Sequence, residues 1–207
     1  MSRIVELSLP KLTITAAVLL SAVIAFQYPA ATTFPAGGDP VRHIARAQAI
    51  VSAFDQSINQ GLATTFTNSA YPGSTLILSL TTLIPLNWPD RFVFLMASAH
   101  LLTGISIGWL LGKISGWPAA AAGIAFWSLT TIGITDHFED GTLAQLLSLP
   151  LVLLFLERLY SKHHWWALIV LLLTIAVHPL SGVILLITLS TTTPILLWYL
   201  LKTKGQA

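Results

Sequence analysis

Long apolar segments alternate with short polar ones along the whole chain, and the apolar runs have the length of membrane helices rather than of core helices. Crossing ~30 Å of hydrocarbon takes about 20 residues of helix. The pattern predicts six crossings, at residues 12–28, 92–111, 117–134, 143–158, 165–178 and 180–201. A further apolar segment, 72–88, has a different texture. It opens with Tyr71-Pro72-Gly73, is interrupted by Pro85, and carries Ser or Thr at 74, 75, 79, 81 and 82. Such a segment suits a juxtamembrane helix over 72–86, tolerated at membrane depth when packed against protein.

The polar connectors are unequal. The first, from Pro29 to Asp90, holds about 60 residues and a second predicted helix over 40–54. Asp39 followed by Pro40 is a helix-start signature, with Asp as N-cap and Pro at the first helical position. Val41, Ile44, Ala45, Gln48, Ile50, Val51 and Phe54 roughly repeat at helical spacing opposite Arg42 and Arg46, as in a helix lying on a membrane face. The next connector on that side is only residues 135–141, and the last is little more than the His178-Pro179 break.

Charge fixes the orientation. Basic loops stay cytoplasmic, and counting 72–88 as a crossing would place Lys113, Arg158, Lys162, Lys202 and Lys204 outside. With six crossings those residues join Arg3 and Lys11 inside. Arg42, Arg46 and Arg91 then lie outside, outnumbered there by Asp39, Asp55, Asp90, Asp136, Glu139 and Asp140. Trp109, Trp117, Trp165, Trp166 and Trp198 fall near the inner interface, as an aromatic belt does. The expectation is an all-α polytopic protein of the cell (inner) membrane, a single membrane domain over 1–207, with its N-terminus cytoplasmic. Residues 12–28 are read as an uncleaved helix, because the following YPAATTFPAGG offers no A-x-A-like cleavage site.

Composition agrees. Apolar residues make up 55% and charged residues 9%, with mean hydropathy +0.78; a soluble domain carries about 25% charge. The net charge of +2 reflects scarce acids, not a nucleic-acid footprint, and no nucleic-acid partner is expected. With no cysteine, thiolate metal sites and a cysteine nucleophile are excluded. Walker loops, H-E-x-x-H and a serine nucleophile elbow are missing from the sequence.

Candidate chemistry gathers in the outer connectors. Asp39 serves as an N-cap, and His43, four residues on, can share its face of the helix. A carboxylate beside an imidazole can act as a base or a metal ligand. Asp136, His137, Glu139 and Asp140 crowd one short turn. The turn either keeps helix ends out of lipid, with Asp140 favoured by the next helix dipole, or forms a carboxylate site for Mg²⁺ or Mn²⁺ that also binds phosphate. His178 ends a helix of only 14 residues, roughly 21 Å long. It is either a helix-ending His-Pro or an imidazole in the same cavity as the carboxylates. His100 reads as a hydrogen-bonded interior residue, and His163-His164 as interface residues.

The layout resembles the N-terminal module of the GT-C superfamily of polyprenyl-phosphate-dependent glycosyltransferases, which includes oligosaccharyltransferases, protein mannosyltransferases and lipid A aminoarabinose transferases. The likeness rests on a first helix, a long outer loop opening with Gly38-Asp39, a membrane-proximal helix after Tyr71-Pro72, a helix pair leading to the acidic turn Asp136–Asp140, and the His178-Pro179-Leu180 break. It implies transfer of a sugar from a polyprenyl-phosphate donor to an acceptor at the outer membrane face. Asp39, with His43, becomes the catalytic base or acceptor-orienting pair. Asp136, Glu139 and Asp140 support a divalent cation or the donor phosphate, with His178 in the same substrate cavity. Arg42, Arg46 and Arg91 become partners of the phosphate, whose geometry guanidinium matches. Members of this group usually continue with further helices, whereas this chain stops at Gly205-Gln206-Ala207, so a fragment or truncated relative is expected. Two other readings stand beside this one: a non-catalytic scaffold or inactive remnant, and a transporter or lipid-handling protein. The second is poorly served by an interior offering only His100 and scattered Ser and Thr. The glycosyl-transfer reading requires Asp39 and the acidic turn to emerge on one side and close together.

Overall fold

A computed structural model of the chain describes residues 8–31, 38–67, 69–129 and 142–204, with side chains described for 8–27, 40–67, 69–129 and 142–194. The described residues are helical and include no strand. The helices are α1 (Leu9–Ala31), α2 (Gly38–Gln56), α3 (Ile58–Thr67), α4 (Pro72–Leu80), α5 (Trp88–Ser115), α6 (Trp117–Leu129), α7 (Leu143–Tyr160), α8 (His164–Val177) and α9 (Pro179–Lys204). Three are long and apolar enough to cross a membrane: α1 over Leu9–Gln27, α5 and α7. The apolar segments His164–Val177 and Pro179–Pro194 are shorter.

Local chemistry explains several boundaries. Asn87 caps α5, its side-chain oxygen accepting the Asp90 amide at 2.9 Å. Gly116, at φ 85°, ends α5 where a side chain would be strained. Pro72 opens α4, which stops after nine residues and passes through a 3₁₀ turn at Thr81–Leu83. The expected helix over 72–86 is thus shorter, and at ~1.5 Å per residue it spans about half the hydrocarbon thickness.

The helix directions alternate. Lys113 near the end of α5 bonds Glu157 near the end of α7, while Phe92 and Leu143, near their starts, share one core cluster. Helices α5 and α7 are therefore parallel. Helix α6 runs back, carrying Trp127 to the carbonyl of His100 at 3.0 Å. Helix α1 follows α6, since Ile14 and Val18 face the Lys113 end and Phe26 meets Phe94 at 5.9 Å. Helix α8 returns along α7, and α9 runs away again after His178.

The exterior is apolar and the interior partly polar. Leu19, Phe126, Leu172 and Ile187 are exposed, whereas Ser21, Thr103, Ser128 and Thr174 are buried. Thr103, Ser128 and Thr174 each donate to the carbonyl four residues earlier, at 2.8 Å. Such a surface fits lipid rather than water as the surrounding solvent. Gly104, Gly108 and Gly112 recur at four-residue spacing on α5 and let α6 approach closely; a Cβ on Gly108 would stand 2.5 Å from Ile124.

Two expectations need correcting. Helix α2 begins at Gly38, so Asp39 lies inside its first turn rather than ahead of it. Its buried stripe is His43, Ala47 and Ile50, while Val41, expected in the apolar stripe, is 63% exposed. The side that packs on α4 and α5 was decided by those partners, since a helix periodicity alone does not say where its neighbours stand.

Candidate functional site

Tyr71, immediately before α4, lies between the early turns of α2 and α9. Its backbone is held from both sides: the Ser69 hydroxyl accepts the Tyr71 amide at 3.1 Å, and the Tyr71 carbonyl accepts from the hydroxyls of Ser74 and Thr75, each at 3.0 Å. The Tyr71 ring stacks on His178, with centroids 5.0 Å apart, and lies 6.3 Å from His43. His43 is buried and in turn faces Phe92 at 6.3 Å.

His178 is the N-cap of α9. Its Nδ1 accepts the Ser181 amide at 3.2 Å, with Pro179 at the first helical position. Accepting there puts the proton of the neutral ring on Nε2. The Ser181 hydroxyl lies 2.6 Å from Nδ1 and 3.0 Å from the Ser148 hydroxyl on α7, and Ser148 donates to the Gln145 carbonyl at 2.7 Å. With Nδ1 unprotonated the ring can only accept there, so the Ser181 hydroxyl gives its one proton to His178. Replacing His178 by Ala removes the cap and is expected to lower stability by ~1 kcal/mol. His178→Asn, which can cap, should recover most of that loss, read as the thermal midpoint in detergent.

Tyr71 therefore lies against the early turns of α2 and α9 and leads into α4, while α5 joins through the Phe92–His43 contact and α7 through the chain Ser148–Ser181–His178. Helix N-termini carry partial positive charge and unsatisfied amides, which favour an anion such as phosphate. The sequence candidates distribute as follows. His43 and His178 are brought together, on either side of Tyr71. Asp39 lies one turn before His43 in α2, but its side chain is outside the described residues. Asp136, Glu139 and Asp140 also lie outside them, in the segment leading to Thr142 and α7. Arg42 is exposed on α2 and Arg46 partly buried. Arg91 is engaged locally, its guanidinium 5.0 Å from the Trp88 ring centroid and its Nε donating to the Ile84 carbonyl at 3.2 Å. Among the described residues, no group of three His, Asp or Glu is arranged to hold a metal.

No family model, curated protein or solved structure matches the chain.

Tyr71, Ser148 and Ser181 were not singled out in the sequence as site residues. Tyr71-Pro72 marks only a helix start, and two serines 33 residues apart carry no local signal of their contact.

Proposed function

We propose that the chain is a GT-C-like membrane module that transfers a sugar from a polyprenyl-phosphate donor to an acceptor at the outer membrane face. Six helices, α1 and α5 to α9, cross the inner membrane in this reading. The N-terminus is cytoplasmic and the Tyr71 end outside, as the positive-inside rule orders the charges. What supports it is the placement of His43 and His178 on either side of Tyr71, at the end of the bundle where α2 and α7 begin and next in sequence to Asp39 and the acidic segment. A lipid-linked phosphate cannot leave the bilayer, and a site at the end of the bundle where several helices begin suits it.

In this mechanism the acceptor hydroxyl attacks the anomeric carbon of the sugar. The bond from that carbon to the phosphate oxygen breaks, and polyprenyl phosphate departs with the electron pair. Asp39 takes the acceptor proton, with His43 one turn further along the same helix. Asp136, Glu139 and Asp140 are the proposed holders of a divalent cation, Mg²⁺ or Mn²⁺, which would neutralise charge on the leaving phosphate.

Asp39→Asn is expected to lower transfer from a labelled polyprenyl-phosphate sugar by ~10²-fold or more in reconstituted vesicles, the usual worth of a positioned base. Asp136→Asn, Glu139→Gln and Asp140→Asn should each reduce it as well. Transfer at the unsubstituted rate by all four variants ends the catalytic reading and leaves a scaffold.

A further inference from the structure

At the end of the bundle opposite Tyr71, a groove of about 390 Å³ opens between α1, α5 and α6. Ile14, Val18, Ile105, Trp117 and Ile124 line its walls, and Lys113 stands at its mouth. Gly108 and Gly112 also line it, and their lack of side chains leaves the space.

The mouth is basic. Lys113 bonds Glu157 and the Ser161 hydroxyl, the latter at 3.0 Å, and its Nζ lies 5.5 Å from the Trp109 ring centroid. Arg158 lies 5.3 Å from the same ring, and Lys162 follows Ser161 directly. Lys113 and Arg158 thus both pair with one carboxylate, Glu157, which is buried with only 1% exposure, and Lys162 adds a third cation next to Ser161 in the chain. Lys11, exposed, sits one helical turn before Ile14. Trp109, Trp117, Trp165 and Trp166 are exposed at this same end. Indoles of this kind mark headgroup depth, so the cations stand at phosphate level and the groove reaches into the acyl region.

We infer that this groove binds one anionic glycerophospholipid, an acyl chain lying along Ile14, Val18 and Ile124 and the phosphate held among Lys113, Arg158 and Lys162. The apolar walls alone would accept the chain of any phospholipid. The excess of positive charge at the mouth is what selects an anionic headgroup, as juxtamembrane basic clusters do. The inference is independent of the glycosyl-transfer reading, whose described residues His43 and His178 lie at the other end of the bundle.

The test is native mass spectrometry of the full chain in detergent, titrated with phosphatidylglycerol or with phosphatidylcholine of identical chains. One phosphatidylglycerol should bind with ~10-fold or greater preference over phosphatidylcholine. Arg158→Gln/Lys162→Gln should bring the two lipids within ~2-fold of each other, by weakening phosphatidylglycerol alone. Val18→Trp, which fills the groove and leaves the charges in place, should weaken both lipids. Equal binding of the two lipids by the unsubstituted chain overturns the inference. So does a charge variant that weakens both equally, or a filled groove that binds as before.

Discussion

Lys113→Met is expected to destabilise the bundle by about 3 kcal/mol, although the ammonium it removes is partly exposed. The reason is its partner. Glu157 on α7 is 1% exposed and takes bonds from Lys113 and, at 2.7 Å, from the Ser161 hydroxyl. Breaking a buried ion pair by deleting one member costs roughly 3–5 kcal/mol, because the remaining charge is left in a medium that solvates it poorly. Arg158, 3.2 Å from the second Glu157 oxygen, stays behind and holds the loss to the lower end. The double variant Lys113→Met/Glu157→Leu removes both charges and should recover most of the stability, as replacement of buried pairs by apolar residues often does. Thermal midpoints of the single and double variants in one detergent check this. Equal midpoints for Lys113→Met and the unsubstituted chain would show that the pair contributes nothing.

Gly73→Val is expected to pry α4 away from α8. A Cβ at residue 73 would stand 2.6 Å from the Ala176 carbonyl oxygen, 2.7 Å from its carbon and 2.9 Å from the Val177 nitrogen. These are backbone atoms in the last turn of α8, so no side-chain rotation relieves them. Overpacking typically costs about 1–3 kcal/mol, and a clash with rigid backbone belongs at the upper end or beyond. Tyr71 lies two residues earlier, so its stack on His178 should be lost as well. The expected result is a lowered thermal midpoint together with loss of whatever activity the Tyr71 end supports. Gly112→Ala is the control, since its Cβ meets only the Ala120 Cβ at 3.4 Å and should be nearly neutral. If both variants melt alike, the close approach of α4 to α8 is not a constraint.

Parts of the site were legible before any coordinates. The Gly38-Asp39-Pro40 helix start, the His178-Pro179 break and the separate character of residues 72–88 were all visible as local patterns, and each corresponds to a helix boundary. The helix Ile58–Thr67 is absent from the sequence reading because INQGLATTFT has no long apolar stripe; Ser57 caps it, its hydroxyl accepting the Gln60 amide at 3.2 Å, and it packs on α2. Glu157 was overlooked for a related reason. Sorting charges by loop treats every acid as belonging to the acidic side, yet this one sits among bases because it is buried with them.

By itself, the order of apolar and polar residues determined that this chain is helical and that its cations cluster away from most of its acids, and it predicted six crossings, of which three correspond to helices with the length and apolarity to cross a bilayer. Those properties follow from local periodicity and composition, which depend on near neighbours in sequence. Only the tertiary structure decided that Tyr71 stands between His43 and His178, that Ser148 meets Ser181, and that Lys113 closes on Glu157 across 44 residues. Contacts of that kind are set by how helices cross and which small residues let them approach, and neither is written in the sequence of any one helix.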